Sequence, residues 1–296
     1  MKAEEIPLSF SFLIKKHATL YLKKNLEVRC FMLFEKNKVY RRSLIHDQYG
    51  GSRQRGISTP NKHKLIFIFD SGMDQEFGYK NGWSEEDGLF YYSGEGQEGN
   101  QTFSFGNKAL LHHIENGEDV YLFESLGKGN YRFVDQLVLI GYDIQFGIDK
   151  HQNQREVIVF AFEPLHVVQE ESHEYATTMR YKSIEELERI ANRDPKRATG
   201  LSMSIRKRQV REQTAALYYY VLARANNHCE ACGQAAPFDT EQGPYLELYS
   251  LYKESDEGLA LPEQVIATCP NCHARLRKSK DRALYREKII QQILQP

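Results

Sequence analysis

The sequence predicts an α+β protein in three parts: a β-rich barrel or sandwich with covering helices, a helical middle, and a small C-terminal module clamped by cysteines. Three observations predict it. Short β-branched and aromatic runs, punctuated by Gly, Asn or Asp, fill residues 1–165. From about residue 166 the texture turns helical. Two Cys-x-x-C pairs then stand near the C-terminus.

Taken in order, residues 1–40 carry no readable motif. Strands are expected at KLIFIFD (64–70), GLFYYSG (88–94), DVYLFES (119–125), YRFVDQLVLIGYDI (131–144) and EVIVFAFEP (156–164). Between them only GNKALLHHIENG (106–117) looks helical. SIEELERIANR (183–193) is a helix with Ser183 as N-cap and an acidic first turn. DPKRATGLSMS (194–204) breaks the pattern as a hinge, and RKRQVREQTAALYYYVLARANN (206–227) resumes it. The expected boundaries are 1–165, a helical basic linker 166–214, and 215–296. A chain of 296 residues suits two domains at roughly 100–200 residues each.

The formal net charge is −1, which excludes an overall basic bias. Its distribution is more informative. Residues 191–224 hold eight Lys/Arg against Asp194 and Glu212, and residues 273–288 hold seven against Asp281 and Glu287. Such clusters suit phosphate contact, or are simply solvated helix faces. No run of about 18 apolar residues exists, so no membrane span is expected. The start, MKAEEIPLSFSF, lacks a signal peptide's charge-then-apolar order, so a cytoplasmic location is expected.

Cys229, Cys232, Cys269 and Cys272 can place four thiolates on one metal, the ligand set of a closed structural zinc site. The 36 residues between the pairs make zinc the clamp at the base of a substantial insert. Paired cysteines in a cytosolic chain favour metal over disulfides. Cys30 stands apart in an apolar stretch and reads as a small buried hydrophobe.

In the first half, YGGSRQRGIS (49–58) combines glycines with Arg53 and Arg55, which can grip phosphate or a base edge. Residues 77–110 crowd Tyr79, Trp83, Phe90, Tyr91 and Tyr92 beside Gly-rich turns. Such aromatics either stack on an extruded base or form ordinary sheet core.

Two resemblances sharpen these readings. The order YGG-x4-GIS, an IFIFD strand, GY-x-x-GW, DG-x-F-x-Y-x-GEGQ-x-G, GN-x-AL and YLFE resembles the bacterial SRA (YDG) domain. That resemblance implies recognition of 5-methylcytosine or a related base in duplex DNA by base flipping. It implies Tyr79 and Tyr92 as stacking residues, with Asn81 and Ser93 as hydrogen-bonding residues and Trp83, Arg53 and Arg55 beside them. Related sequences carry Asp where Asn81 stands.

The stretch from C-E-A-C-G through GPYLE to VIA-T-CPNCH resembles the HNH module of McrA-type, modification-dependent restriction endonucleases, a treble-clef ββα-metal fold. The family's His-His pair aligns with Tyr249-Ser250, its Asn near Gln264, and its last His with Arg277. Only His273 survives. A phenol of pKa about 10 cannot act as a base at neutral pH as imidazole can. Arg277 would repel a divalent ion. A degenerate nuclease follows as the leading expectation, in a restriction-type protein that still binds modified DNA. An active Mg²⁺- or Mn²⁺-dependent endonuclease using His273, Glu247 and Asp256 is the alternative. A protein-interaction scaffold is the third reading. HNH nucleases often act as dimers, which makes a homodimer a candidate assembly. His228 is the nearest spare imidazole, although capping or packing explains it more simply. His112-His113 reads as packed or solvated.

Overall fold

The strand-forming runs become eight strands of one mixed sheet, described by a computed structural model over residues 33–72, 81–194, 200–240, 243–252 and 260–294. Cys30, Tyr79 and Asp256, singled out above, and Lys196 and Arg197 of the first basic cluster lie outside the described residues. The strands are β1 (Val39–Arg41), β2 (Ile57–Ser58), β3 (Leu65–Asp70), β4 (Gly82–Trp83), β5 (Phe90–Ser93), β6 (Asp119–Gly127), β7 (Asn130–Ile148) and β8 (Gln154–Pro164). Their order is β2-β3-β6-β7-β8-β5-β4, with β1 added on β7.

β3 runs parallel to β6, from Leu65 opposite Asp119 to Asp70 opposite Glu124, and the other pairs are antiparallel. That placement explains why β3 is an unbroken apolar run, since a strand covered on both faces has no polar side. Its Ile66 and Ile68 pack with Leu122, Phe160 and Phe162 on one face. Its Leu65, Phe67 and Phe69 join Phe34, Tyr121, Phe123 and Phe133 on the other. α1 (Arg42–Tyr49) covers the second face through Ile45, and α2 (Phe105–Leu111) covers the first through Leu110.

Three helices follow: α3 (Leu165–Arg180), α4 (Ile184–Ala191) and α5 (Met203–Ala225). Ser183 caps α4 by accepting from Glu186 N–H, while the Glu186 side chain reaches back to Ser183 N–H. Val168 of α3 and Val210 of α5 share a core with Val138, Ile140 and Ala161 of the sheet. The far half of α5 packs Leu217, Val221 and Ala225 against the C-terminal module. One helix thus belongs to both cores.

The described basic residues of the first cluster have partners within the chain. Arg211, 4% exposed, donates to Glu163 Oε1 at 2.9 Å and to Glu171 Oε2. Lys207 Nζ also meets Glu163 Oε1, at 2.9 Å. Arg206 is buried, with Nη1 3.4 Å from the Tyr142 carbonyl. Arg193 and Arg208 both pair with Glu212. Arg224 grips Glu230 with Nε and Nη2, the Pro262 carbonyl with Nη1, and the Val265 carbonyl with Nη2 as well. In the second basic cluster Lys278, Lys280, Arg282 and Lys288 are exposed.

The C-terminal module holds two short hairpins, β9 (Asp239–Thr240) with β10 (Gly243–Pro244) and β11 (Glu247–Ser250) with β12 (Val265–Thr268). α6 (Pro270–Lys278) and α7 (Arg282–Leu294) close it. Among the described residues no helix is long and apolar enough to cross a membrane.

Candidate functional site

Strand alternation points Phe90 and Tyr92 of β5 to the same face, where their rings stack 6.3 Å apart at 22°. Tyr92 is 5% exposed. Its phenol lies against Gly56, where a Cβ would sit 2.5 Å from Tyr92 Oη, so only glycine fits that closeness. Asn81 accepts from Ser93 N–H at 2.9 Å through Oδ1 and donates through Nδ2 to Asp70 Oδ1 at 3.4 Å. Its amide is therefore oriented between a strand backbone and a carboxylate. Asp70 was not singled out from sequence. The available signal was an acid closing an otherwise apolar strand. Trp83 is 41% exposed and tilts onto Phe90 at 5.3 Å. Asn81 thus binds the backbone next to Tyr92, alternation turns the Ser93 side chain to the opposite face, and Trp83 meets the Tyr92 face through Phe90.

The loop 49–58 is held from below by Arg42, another residue the sequence did not flag. Its guanidinium lies 4.0 Å from the Phe69 ring centroid and donates to the carbonyls of Ser52 and Arg55. Buried His46 donates through Nδ1 to Gly50 O at 2.7 Å and accepts at Nε2 from Arg42 Nε, and burial pushes its imidazole below the ordinary value. Arg53 pairs with Asp47, and Arg55 lies over Phe105 at 5.5 Å. Both arginines are exposed beside the Tyr92 neighbourhood.

The Gly-rich loop 94–100 is tied down by four polar side chains. Asn107 accepts from Glu95 N–H at 2.7 Å and donates to the carbonyls of Glu95 and Thr102. Gln101 donates to Gly94 O at 2.6 Å. Arg155 donates to Gly96 O at 2.5 Å and Ile148 O at 2.9 Å. Asp149 accepts from the N–H groups of Asn153, His151 and Gly99, which hold its carboxyl down to about 2.

In the C-terminal module Cys229, Cys232, Cys269 and Cys272 bring their sulfurs within 4.8 Å of one another. Thiolates at about 2.3 Å from a tetrahedral zinc stand roughly 3.8 Å apart, so the cluster fits such an ion. The chain turns from α5 into the cluster through left-handed Asn226 and Asn227. Tyr285 of α7 reaches in, its hydroxyl donating to Cys272 Sγ at 3.1 Å. Glu230, between the first two cysteines, fixes the knuckle by accepting from Ala267 N–H at 2.7 Å and from Arg224.

The remaining predicted residues sit around this cluster. His273 is 7% exposed, with Nδ1 2.8 Å from Glu247 Oε2. That hydrogen bond lowers the Glu247 carboxyl below its usual range. Among the described residues, buried His273 Nε2 has no hydrogen-bond partner. Tyr249 lies edge-on to His273 at 5.9 Å and packs in a core with Leu276 and Ile289. Ser250 is 6% exposed. Arg277 is partly buried one turn beyond His273. Gln264 donates to Glu115 O at 2.8 Å, joining the module to the sheet. His228 is exposed and bonded to Asn226 O, and His113 is buried against Glu118 O.

Over 63 residues the chain is 38% identical to the type IV methyl-directed restriction enzyme EcoKMcrA of Escherichia coli (strain K12), a match to 21% of this chain and 23% of that protein. Among solved structures it is similar to the type IV phosphorothioation-dependent restriction endonuclease ScoMcrA, with 17% identity and a TM-score of 0.39 over 88% of this chain and 64% of that one. It is also similar to the modification-dependent TagI restriction endonuclease, with 16% identity and a TM-score of 0.35 over 82% and 78%. This chain thus spans less than two thirds of either McrA relative. Residues 36–184, half of the chain, match the family described as ScoMcrA-like, SRA domain, and on that match the chain belongs to the ScoMcrA-like SRA domain family.

Proposed function

We infer that this protein binds duplex DNA carrying a modified cytosine and draws the modified base out of the stack against Tyr92. The observation that carries the reading is Tyr92 set against Gly56 in an arginine-bearing loop, with Asn81 bound to the backbone N–H of the adjoining Ser93. An aromatic face supplies stacking, an oriented amide supplies polar recognition, and the arginines supply phosphate or base-edge contact. Asn81 presents its carbonyl to Ser93 N–H, so Asp70 beside it is the carboxylate available to an exocyclic amino group. The family resemblance assigns a second stacking role to Tyr79, which lies outside the described residues. The sheet from β2 to β4 forms the wall of an SRA-type barrel, with register shifts in β6–β7 and β7–β8 supplying bends. Residues 1–165 form the reading domain, 166–214 the helical connection and 215–296 the zinc module. A cytoplasmic site of action fits that role, and homodimerisation is a candidate assembly.

The module at 215–296 is read as an HNH fold that keeps its scaffold and has lost its chemistry. Zinc on Cys229, Cys232, Cys269 and Cys272 supplies a structural clamp. Tyr249 and Ser250 fill the histidine positions and are both buried, with Tyr249 in an apolar core. The exposed lysines and arginine after His273 give the module a second grip on phosphate. One observation favours residual nuclease activity: Glu247 orients His273 and leaves its Nε2 lone pair without a hydrogen-bond partner among the described residues. Mg²⁺ or Mn²⁺ enters the function only under that second reading.

The test is a binding panel of unmodified, 5-methylcytosine, 5-hydroxymethylcytosine and phosphorothioate duplexes, each incubated with Mg²⁺, Mn²⁺, Co²⁺ or Ni²⁺. The reading expects preference for a modified cytosine, lost in Tyr92→Ala, and no strand breaks. Equal affinity for every duplex sinks base recognition. Metal-dependent cutting abolished by His273→Ala establishes the second reading. DNA binding that ignores salt points to a protein-interaction scaffold instead.

A further inference from the structure

Beyond the arginine loop lies a cleft of about 490 Å³ between the 59–64 turn and α2, lined by Lys62, Lys64, Phe105, Lys108 and Glu118 among others. Lys62, Lys64 and Lys108 are exposed, and among the described residues none of the three forms an ion pair within 4 Å. Glu118 is the one acid in the lining. It accepts from Asn116 Nδ2 at 3.1 Å and sits near Lys64. The cleft therefore carries a surplus of positive charge in a chain whose total is −1.

Phe105 is the second observation. It is 77% exposed and held at φ +43°, a left-handed conformation that a bulky side chain adopts only under constraint. The constraint is visible in the next two residues. At Gly106 a Cβ would meet Ile57 Cγ2 at 2.8 Å and the Glu95 carboxyl at 2.9 Å. Asn107 is locked to Glu95 and Thr102 by three hydrogen bonds. The backbone is pinned against the Gly-rich loop, and the aromatic ring is driven outward into the cleft wall under Arg55. An exposed, constrained aromatic among free lysines is a feature of a binding surface.

The parts form a continuous track. Tyr92 touches Gly56, Arg55 follows in the chain and overlies Phe105, and Phe105 opens onto the lysines. We propose that this cleft seats the sugar-phosphate backbone of the duplex flanking the modified base, with Lys62, Lys64 and Lys108 on phosphates and Phe105 packed on sugar or base. This rests on the DNA-binding reading and extends its footprint to a surface separate from the pocket. The contacts are to backbone, so they add affinity and not base preference.

The experiment measures fluorescence anisotropy of labelled modified and unmodified duplexes with wild type, Lys62→Ala/Lys64→Ala/Lys108→Ala, Phe105→Ala and Tyr92→Ala, across a salt series. Loss of three phosphate contacts lowers the slope of log K against log salt by about 2.7, at roughly 0.9 per phosphate. The triple variant is expected to weaken both duplexes by a similar factor, about 10- to 100-fold at low salt, and to keep the ratio between them. Phe105→Ala is expected to weaken both by about 5- to 30-fold with the slope unchanged. An unchanged slope and affinity in the triple variant overturns the cleft even when Tyr92→Ala confirms the pocket. That result also covers a cleft serving free phosphate or nucleotides. A wild type that binds no duplex overturns the DNA-binding reading and the cleft with it. The lysines are exposed, so thermal unfolding of the triple variant should match wild type and exclude misfolding as the cause.

Discussion

Gly56→Ala tests the closeness on which the proposed pocket depends. The added methyl would lie 2.5 Å from Tyr92 Oη, about 1 Å inside ordinary contact. Tyr92 cannot easily swing away, since it is 5% exposed, in the core with Ile57 and Ile68, and stacked on Phe90. Overpacking of this kind costs about 1–3 kcal/mol. Tyr92→Phe removes the offending oxygen and leaves the ring Cζ 3.8 Å from the new methyl, an ordinary contact. Alanine at 56 should therefore cost little in the Tyr92→Phe background. The double-mutant cycle should show a favourable coupling of about 1–2 kcal/mol, measured as urea midpoints at constant m. At about 2–4 °C per kcal/mol, the same coupling appears as a partial recovery of Tm. Gly56→Ala should also weaken modified duplex more than unmodified, because the displaced ring is the proposed stacking face. Penalties that add within about 0.5 kcal/mol would refute the contact.

Three other outcomes follow from the geometry. Glu163→Gln leaves Lys207 facing a neutral amide and Arg211 with Glu171 as its remaining carboxylate, and should destabilise by about 1–3 kcal/mol in chemical denaturation. A loss under about 0.5 kcal/mol would show that the network is solvated. Purified protein should hold one zinc per chain by elemental analysis, and Cys229→Ser should lose the metal together with protection of the C-terminal module from proteolysis. The Asp149 carboxyl is lowered from 3.8 to about 2 on folding, chiefly by the Asn153 N–H. Its contribution is complete above the unfolded value and fades as pH falls toward 2. Asp149→Asn should remove that part of the acid dependence, while an unchanged acid profile would contradict the assignment.

The sequence by itself determined the elements whose chemistry is local. The apolar run of β3, the aromatic strand β5, the capping box of Ser183 and Glu186, and the two Cys-x-x-C turns are each written in adjacent residues. The motif order from YGG to YLFE also sufficed to indicate the SRA family, because the spacing of glycines and aromatics repeats a whole fold's turns. Tertiary structure alone decided which charges face solvent. Arg206, Arg211 and Arg224 look like a basic surface in the chain, yet the sheet and the knuckle supply Tyr142 O, Glu163 and Glu230 as partners from 6 to 64 residues away. It also decided that Asp70 stands beside Asn81, that Tyr285 reaches Cys272, and that Phe105 faces outward over free lysines. Each of these depends on contacts between distant segments, and no local periodicity encodes a contact between residues brought together only by the fold.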